Sequence, residues 1–256
     1  MNVSIITVVY NGAEFIRDCI ESVLHQTYPN LEYIIVDGKS TDGTVDIVQS
    51  YGKRVSRFVS ESDKGLYDAM NKGIQMATGD VIGLLNADDF YRHNRVIENM
   101  VATLERTGSD AVYGDMLYVD RANPQKIKRY WRSGWYSENA FLWGWMPGHL
   151  SFFARRSLYQ KYGLFRVDMK SAADYELMLR FIHKNKVKLA YMDEVTIVMR
   201  MGGVSNNSVA NRLEANRDDR RAWQLNGLTP YFFTFWFKPL RKLTQYVTKP
   251  PKTPVA

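Results

Sequence analysis

Apolar positions in the N-terminal part of the chain alternate between two rhythms. Val3-Ser4-Ile5-Ile6-Thr7-Val8-Val9 is β-branched and almost wholly apolar, the pattern of a central parallel strand buried on both faces. After it, Ile16, Cys19, Ile20, Val23 and Leu24 recur at helical spacing, with Arg17, Asp18 and Glu21 on the opposite side, so one stripe lies on the sheet. Pro29-Asn30 breaks the chain. A second strand over Tyr33–Val36 ends in the turn-rich Asp37-Gly38-Lys39-Ser40-Thr41-Asp42-Gly43, whose side chains can cap a helix running through Tyr51. Arg57–Ser60 reads as a short third strand, and Gly65–Ala77 as a helix with Leu66, Met70, Ile74 and Ala77 on one face. Thr78-Gly79-Asp80 stops it before a fourth strand, Val81–Leu85. The helix carrying Val96, Ile97, Met100, Val101 and Leu104 then leads to a strand over Ala111–Tyr113. Strands separated by helices of this length predict an α/β chain with a mostly parallel central sheet flanked by helices.

Beyond Asp115 the pattern loosens into aromatic sequence: Tyr130, Trp131, Trp135, Tyr136, Phe141, Trp143, Trp145, then Pro147-Gly148-His149. These rings either pack a satellite core or line a cleft, where the C–H face of a sugar stacks well on an aromatic face. Helices over Arg155–Tyr162 and Asp174–His183 follow, then strands over Lys188–Met192 and Val195–Met201. Gly202-Gly203-Val204-Ser205 reads as a mobile loop, Asn207–Gln224 as a polar helix, and Lys249–Pro254 as a disordered tail.

Composition adds modest bounds. A chain of 256 residues with 45% hydrophobic content buries a full core as one domain with a C-terminal appendage. The single cysteine, Cys19, excludes an internal disulfide framework and a cysteine zinc cluster, and its place on an apolar helix face suits an inert thiol. Met1-Asn2 leads straight into a strand, with no signal-peptide pattern and no apolar run of about 20 residues. The expected location is therefore the cytoplasm. The net charge of +7 lies mostly in the second half and is compatible with anionic lipid or a phosphorylated substrate. Nucleic acid is not expected, since the basic residues are scattered and no zinc finger, RNA-recognition signature or basic zipper accompanies them.

Asp88-Asp89 sits directly behind the strand ending at Leu85, where open α/β sheets bind ligands. Two adjacent carboxylates repel unless a cation neutralises them, and Mg²⁺ or Mn²⁺ prefers carboxylate oxygen. The pair therefore reads as a metal and phosphate site, or else as a cap on the helix starting near Asn94.

Together these segments carry a family resemblance. Ser4–Asn11, Ile35-Val36-Asp37-Gly38 with Ser40–Thr44, Asp68–Gly73, Ala77–Asp80 and Leu85-Asn86-Ala87-Asp88-Asp89 resemble, in order, the family-2 glycosyltransferases. His149 and Ala173-Asp174-Tyr175-Glu176-Leu177 extend the likeness to about residue 205. It is greatest to bacterial enzymes that build O-antigen, capsule or exopolysaccharide. The resemblance implies a GT-A fold: a Rossmann-like sheet with C-terminal acceptor-side elements, and inverting, metal-dependent transfer from a nucleoside-diphosphate sugar. It implies a glycosyltransferase domain over residues 1–226, its nucleotide-sugar half 1–115 and its acceptor-side half 116–226, with an appendage over 227–256.

Residue roles follow from the same likeness. Thr7, Tyr10 and Asn11 occupy the first-strand donor position, Asp37 matches the acceptor for the base imide N–H, and Asp63 and Asn71 fall on the donor side. Asp88 matches the carboxylate near ribose and metal, and Asp89 is expected as the principal metal ligand, with the reverse assignment open. Asp174 matches the general base. His149 either shapes the acceptor side of the active site or packs beneath it. Three departures stand out: Asn86 where many relatives have a further aspartate, Ala173 where many have glutamate, and Met70 where an arginine often reaches the donor, so that Lys64 or Lys72 would have to compensate.

The expected cofactor is Mn²⁺ or Mg²⁺, the donor a UDP-hexose or UDP-N-acetylhexosamine, and the acceptor a glycan, lipid-diphosphate-linked in the expected case. Arg220-Arg221-Ala222-Trp223 lacks the glutamine-x-x-arginine-tryptophan motif of processive polymerases, so transfer of one sugar is expected. Tyr231–Phe237, followed by Lys238, Arg241 and Lys242, is either docked on the core or lies at an anionic membrane on the inner face of the cell membrane; Pro239 is expected to interrupt any helix there. A non-catalytic nucleotide-sugar or polysaccharide-binding module and a nucleotidyltransferase are the competing classes. The Asp88-Asp89 pair with Asp174 disfavours the first, and the missing Gly-rich basic phosphate loop disfavours the second.

Overall fold

A computed structural model describes residues 1–169, 171–202 and 209–248. Gly203–Ser205, Asn207 and the tail from Lys249 therefore lie outside the described residues.

β1 (Val3–Val9) is buried along its whole length between parallel neighbours, β2 (Leu31–Asp37) and β4 (Val81–Asn86), and β3 (Arg57–Ser60) extends the sheet beyond β2. Helices α1 (Ile16–Leu24), α2 (Thr44–Gln49), α3 (Leu66–Met76) and α4 (Val96–Thr107) connect and flank these strands, as the alternation of short apolar runs with period-3.6 segments requires. Contact between α3 and β1 is close: a Cβ on Gly73 would stand 2.3 Å from Ile6 Cγ2, so only glycine lets the helix approach. In register, Val9 faces Asp37, Asp37 faces Ser60, and Val8 faces Asn86. The parallel strands thus end on a common edge, where the ligand crevice of such sheets forms.

The second half continues the same sheet with mixed pairing. β8 (Phe152–Arg155) joins β4 to β6 (Ala111–Val119) antiparallel; β6 runs parallel to β9 (Leu189–Arg200), which pairs with β5 (Phe90–Tyr91). β7 (Ile127–Trp131) lies antiparallel on β6. Here the structure departs from the sequence pattern. β6 runs on past Tyr113 because Asp115, a polar interruption by sequence, is fully buried and accepts hydrogen bonds from Tyr130 Oη, Ser133 N (2.8 Å) and Tyr191 Oη (2.9 Å). The two expected strands after Lys188 are one, since a register shift opposite Tyr113–Met116 absorbs Met192–Glu194. β7 and β8 escape the pattern reading, being short and, in β7, interrupted by Lys128 and Arg129.

α5 (Arg156–Tyr162) and α6 (Ala173–Met178) follow, and α6 widens into a π-type segment over Leu179–Lys184. Arg180 clamps this region: its guanidinium takes both Glu176 oxygens (3.0 and 2.9 Å) and the backbone oxygens of Gly163 (2.9 Å) and Leu164 (2.7 Å). α7 (Val209–Leu225) packs on α6 through buried Trp223, whose indole N–H donates to Tyr175 Oη at 2.8 Å. α8 (Thr234–Val247) runs through Pro239, correcting the expected break. Pro239 lies in the second turn and forfeits one backbone hydrogen bond to Phe235. The helix is anchored regardless, by Thr234 Oγ1 donating to Leu142 O (2.7 Å) and by Phe233 and Phe237 against Trp143. At Gly144, with φ +71°, an added Cβ would lie 2.4 Å from Lys238 N.

Candidate active site

The aligned strand ends build a wall on one side of this edge. Asn11, with φ +49°, donates its N–H to Ser40 Oγ (2.7 Å) and accepts from Thr41 N (2.9 Å), stitching the end of β1 to the loop after β2. Asn tolerates this left-handed turn better than most residues. Ser40 Oγ in turn donates to Asp37 Oδ1 (2.5 Å), while Asp37 Oδ2 accepts from Ser40 N (3.0 Å) and Ser60 Oγ (2.6 Å). A carboxylate offers about four lone-pair directions, so Asp37 keeps one on Oδ1, although the residue is fully buried at the foot of the wall. Beside it, a Cβ on Gly38 would meet Asp63 Oδ2 at 2.6 Å and Tyr10 Cδ2 at 3.4 Å. Tyr10, Gly38 and Asp63 therefore form one surface, with the Tyr10 ring 68% exposed and Asp63 fixed by Gly65 N–H at 2.8 Å.

Thr7 and Asn71 are turned away from this wall, against expectation. Thr7 is fully buried with its hydroxyl 3.0 Å from Tyr33 Oη and 3.5 Å from Cys19 Sγ, because its position in β1 faces α1. Burial pushes the Cys19 thiol up to about 12. Asn71 commits its amide to Phe165, donating to the carbonyl (2.8 Å) and accepting from the N–H (2.9 Å), and so holds the loop between α5 and α6. Met70 is buried, and Lys72 is engaged by Glu61 (2.8 Å) and Ser62 O (2.8 Å). Of the two lysines that could compensate for Met70, only Lys64 has an ammonium without an ion pair among the described residues.

At the end of β4 the two aspartates part. Asp89 is 1% exposed, accepts from Arg200 N (3.1 Å) and Asn86 Nδ2 (3.2 Å), and has its carboxyl pushed well up by burial and by Asp88. Asp88 has a side chain 30% exposed whose closest cation is Arg121 at 3.8 Å, and no hydrogen-bond donor meets its carboxylate among the described residues. Burial separates the pair: Asp88 is the carboxylate that reaches solvent and that no donor among the described residues meets. It fits a hard cation whose other ligands come from substrate and water, since no group of three ligating side chains occurs among the described residues.

Arg200, unremarked by sequence pattern, braces this corner. Buried at the end of β9, it donates to Asp18 (2.6 Å) and the Asp88 carbonyl (2.8 Å), and lies over Phe15 and Phe90 at 4.7 and 4.8 Å. Arg121 also lies over Phe15, at 4.3 Å.

Asp174 faces this edge from the second half, at the first turn of α6. Its Oδ1 accepts from Tyr67 Oη at 3.2 Å, and Oδ2 stands 3.6 Å from His149 Nδ1. Met70, Leu84, His149, Phe165 and Asp174 line one narrow crevice, which brings the candidate base, the histidine and the strand leading to Asp88 together. Tyr67 was not singled out by sequence, although it lies one helical turn before Asn71 and both grip the same loop.

A glycosyl transferase family 2 model matches residues 4–163. A PGL/p-HBAD biosynthesis glycosyltransferase of Mycobacterium tuberculosis is 29% identical over 211 residues, 80% of each chain. An uncharacterized glycosyltransferase of Rickettsia typhi is 32% identical over 83% of this chain and 68% of its own. Among solved structures, S. aureus TarS 1–349 in complex with UDP-GlcNAc aligns with a TM-score of 0.68 and 18% identity, over 88% of this chain and 65% of that one. The chain spans 39% of the longer TarS chain, at a TM-score of 0.65 and 19% identity. The mannosyltransferase PcManGT from Pyrobaculum calidifontis, in complex with GDP-Man and Mn²⁺, aligns at 0.64 and 18% identity, over 98% and 76%. At these identities the structural likeness is one of fold.

Proposed function

The chain belongs to glycosyl transferase family 2 and has the GT-A fold, and we propose that it moves a single sugar, with inversion, from a nucleoside-diphosphate sugar to a glycan hydroxyl in bacterial surface polysaccharide synthesis. The observation that carries this reading is the convergence of an open Asp88 and a positioned Asp174 on one strand edge beside the Tyr10–Gly38–Asp63 wall. The Tyr10 ring stacks on the base. On this reading Asp37, buried at the foot of the wall and held by Ser40 and Ser60, is the acceptor for the base N–H once Ser40 yields its place, and Asp63 limits the depth of the seat. Asp88 would hold Mg²⁺ or Mn²⁺ jointly with the diphosphate, and the ion would neutralise charge on the leaving group. Asp174 takes the proton of the attacking hydroxyl as the new C–O bond forms, with Tyr67 fixing one oxygen and His149 flanking the other.

A UDP-hexose or UDP-N-acetylhexosamine is the donor on this reading. UDP-GlcNAc in TarS supports it, and the imide N–H of uracil suits Asp37. Calorimetry with UDP, UDP-GlcNAc, UDP-glucose and GDP-mannose, with and without Mn²⁺, tests it. Metal-dependent uridine binding is expected; GDP-mannose binding alone overturns the donor, and binding of none overturns the transferase reading.

The acceptor is lipid-linked, and α8 brings the chain to the inner face of the membrane without spanning it. No helix of the described residues is long and apolar enough to cross a membrane. Trp236, Leu240, Leu243 and Val247 share one face of α8 and are exposed, 69% at Trp236 and 80% at Val247, while the basic residues turn toward the body. After Asp219 the chain has seven Lys and Arg residues and no Asp or Glu, which accounts for the whole +7. An exposed apolar stripe, in a segment whose sequence carries positive charge and no carboxylate, suits an anionic bilayer.

A further inference from the structure

Between the inner face of α8 and the segment around β7 runs an open groove with a volume of about 90 Å³, lined by Trp131, Trp145, Arg241, Lys242 and Gln245. Two other cations on its wall are neutralised: Lys238 by Asp219 at 2.6 Å and Arg132 by Asp193 at 3.2 Å. Lys242 and, beside it, Arg129 have no carboxylate partner among the described residues. Arg129 lies over the Tyr118 ring at 3.9 Å and 5.8 Å from Tyr246 of α8, with a buried Nε that lacks a hydrogen bond. Gln245 is more than nine-tenths buried and its Oε1 is unpartnered; an amide can turn either its oxygen or its NH₂ to a ligand.

Gathering cations without anions is unfavourable unless a ligand supplies the charge. Burial in the groove, with Lys238 and Arg129 beside it, presses Lys242 toward its neutral form, and burial does the same to Arg241. A phosphate ester is the complement of such a set, because guanidinium and ammonium groups donate to its oxygens in charge-assisted hydrogen bonds. The groove also leads somewhere: Lys238 on its wall lies 3.7 Å over the ring of Tyr175, the neighbour of Asp174 in α6.

We propose that Arg129, Arg241, Lys242 and Gln245 form the subsite for the phosphate of a lipid-linked acceptor, whose sugar lies toward Asp174 and whose chain leaves along the exposed face of α8. This deepens the transferase reading and rests on it. It explains why α8 turns its charges inward: they meet the acceptor's head while the outer stripe meets its lipid.

Geranyl phosphate is a soluble probe, titrated by calorimetry into full-length protein saturated with UDP and Mg²⁺ so that the donor site is filled. Binding is expected, weakened roughly tenfold or more in Arg129→Gln and Lys242→Gln, with UDP affinity and thermal midpoint unchanged. Inorganic phosphate should bind more weakly than geranyl phosphate; equal binding would assign the groove to free phosphate and overturn the lipid linkage. Affinity equal in parent and variants, displacement of the probe by UDP, or a parallel loss of UDP affinity would each overturn the subsite. Lys242 makes no hydrogen bond or ion pair among the described residues, so Lys242→Gln alone keeps the test valid if the Arg129 variant misfolds. Should UDP fail to bind the parent, the donor reading falls, and the same titration without nucleotide still decides the groove.

Discussion

Tyr67 donates its hydroxyl to Asp174 at 3.2 Å, linking α3 in the parallel half of the fold to α6 in the mixed half. The Tyr67 ring also stacks on Phe165 at 5.6 Å, and Asn71, one turn along α3, holds the Phe165 backbone. The helix that packs on β1 through Gly73 therefore sets where the candidate base stands.

Asp174→Asn should leave donor affinity intact and reduce transfer by roughly 10²–10⁴-fold, because an amide cannot take the hydroxyl proton. Tyr67→Phe should lower kcat by only about tenfold or less and leave the donor KM unchanged, as expected for a positioning residue; its kcat–pH profile should shift, since one oxygen of Asp174 loses its donor. Steady-state kinetics with the true acceptor checks both, and an Asp174→Asn enzyme within about threefold of the parent places the base elsewhere.

The two neighbouring aspartates should respond differently. Asp88→Asn is expected to abolish the Mn²⁺ enhancement of UDP binding with little change in thermal stability. Asp89→Ala should cost stability by about 1–3 kcal/mol, since the Arg200 N–H and Asn86 amide lose a buried acceptor. Calorimetry paired with urea unfolding separates the two, and the opposite pattern restores Asp89 as the metal ligand.

Breaking the Arg180 clamp should be costly. Glu176 and Arg180 are both largely buried, and Arg180→Met would leave the Glu176 carboxylate without its ion pair, at about 3–5 kcal/mol. Chemical denaturation gives the value; a loss under about 1 kcal/mol would mean that Asn226, which donates to Glu176 Oε1 at 3.0 Å, suffices.

His183 supplies a pH signature. It lies between Phe141 and Trp223, and burial, with Lys186 adding to it, holds its pKa below 6.5. The unfolded chain binds this proton more readily, so the group's stabilisation is fully present above pH 6.5 and drains away as pH falls through the folded value. The urea midpoint should drop between pH 7 and pH 5, and His183→Phe should flatten that drop.

Flotation with vesicles of anionic lipid tests α8. Binding should be reversible and weaken with salt, since each basic residue near the surface contributes about 1 kcal/mol. Trp236→Ser with Leu240→Ser should abolish it, and a variant that still floats leaves these side chains without a lipid role.

Legibility in the sequence followed burial. β1, β2 and β4 are apolar on both faces and α1, α3 and α4 carry single stripes, so the parallel half could be read residue by residue. The mixed half could not, because Asp115 is a buried carboxylate satisfied by side chains distant in sequence, and β7 mixes charge with aromatics. Site residues were legible as types and positions, but not by orientation. Thr7 and Asn71 point into core and loop, Asp88 and Asp89 exchange exposure within one peptide unit, and Arg200 joins its partners only through the pairing of β9.

The outward apolar stripe of α8 also bears on how the chain behaves once isolated. At that pole the exterior has the character of an interior, and in water without lipid or detergent the cheapest cover for it is the same stripe on another copy. Self-association that grows with concentration and vanishes with mild detergent would then report an unmet surface rather than an assembly, and an oligomeric state measured in plain buffer would describe the solvent as much as the protein.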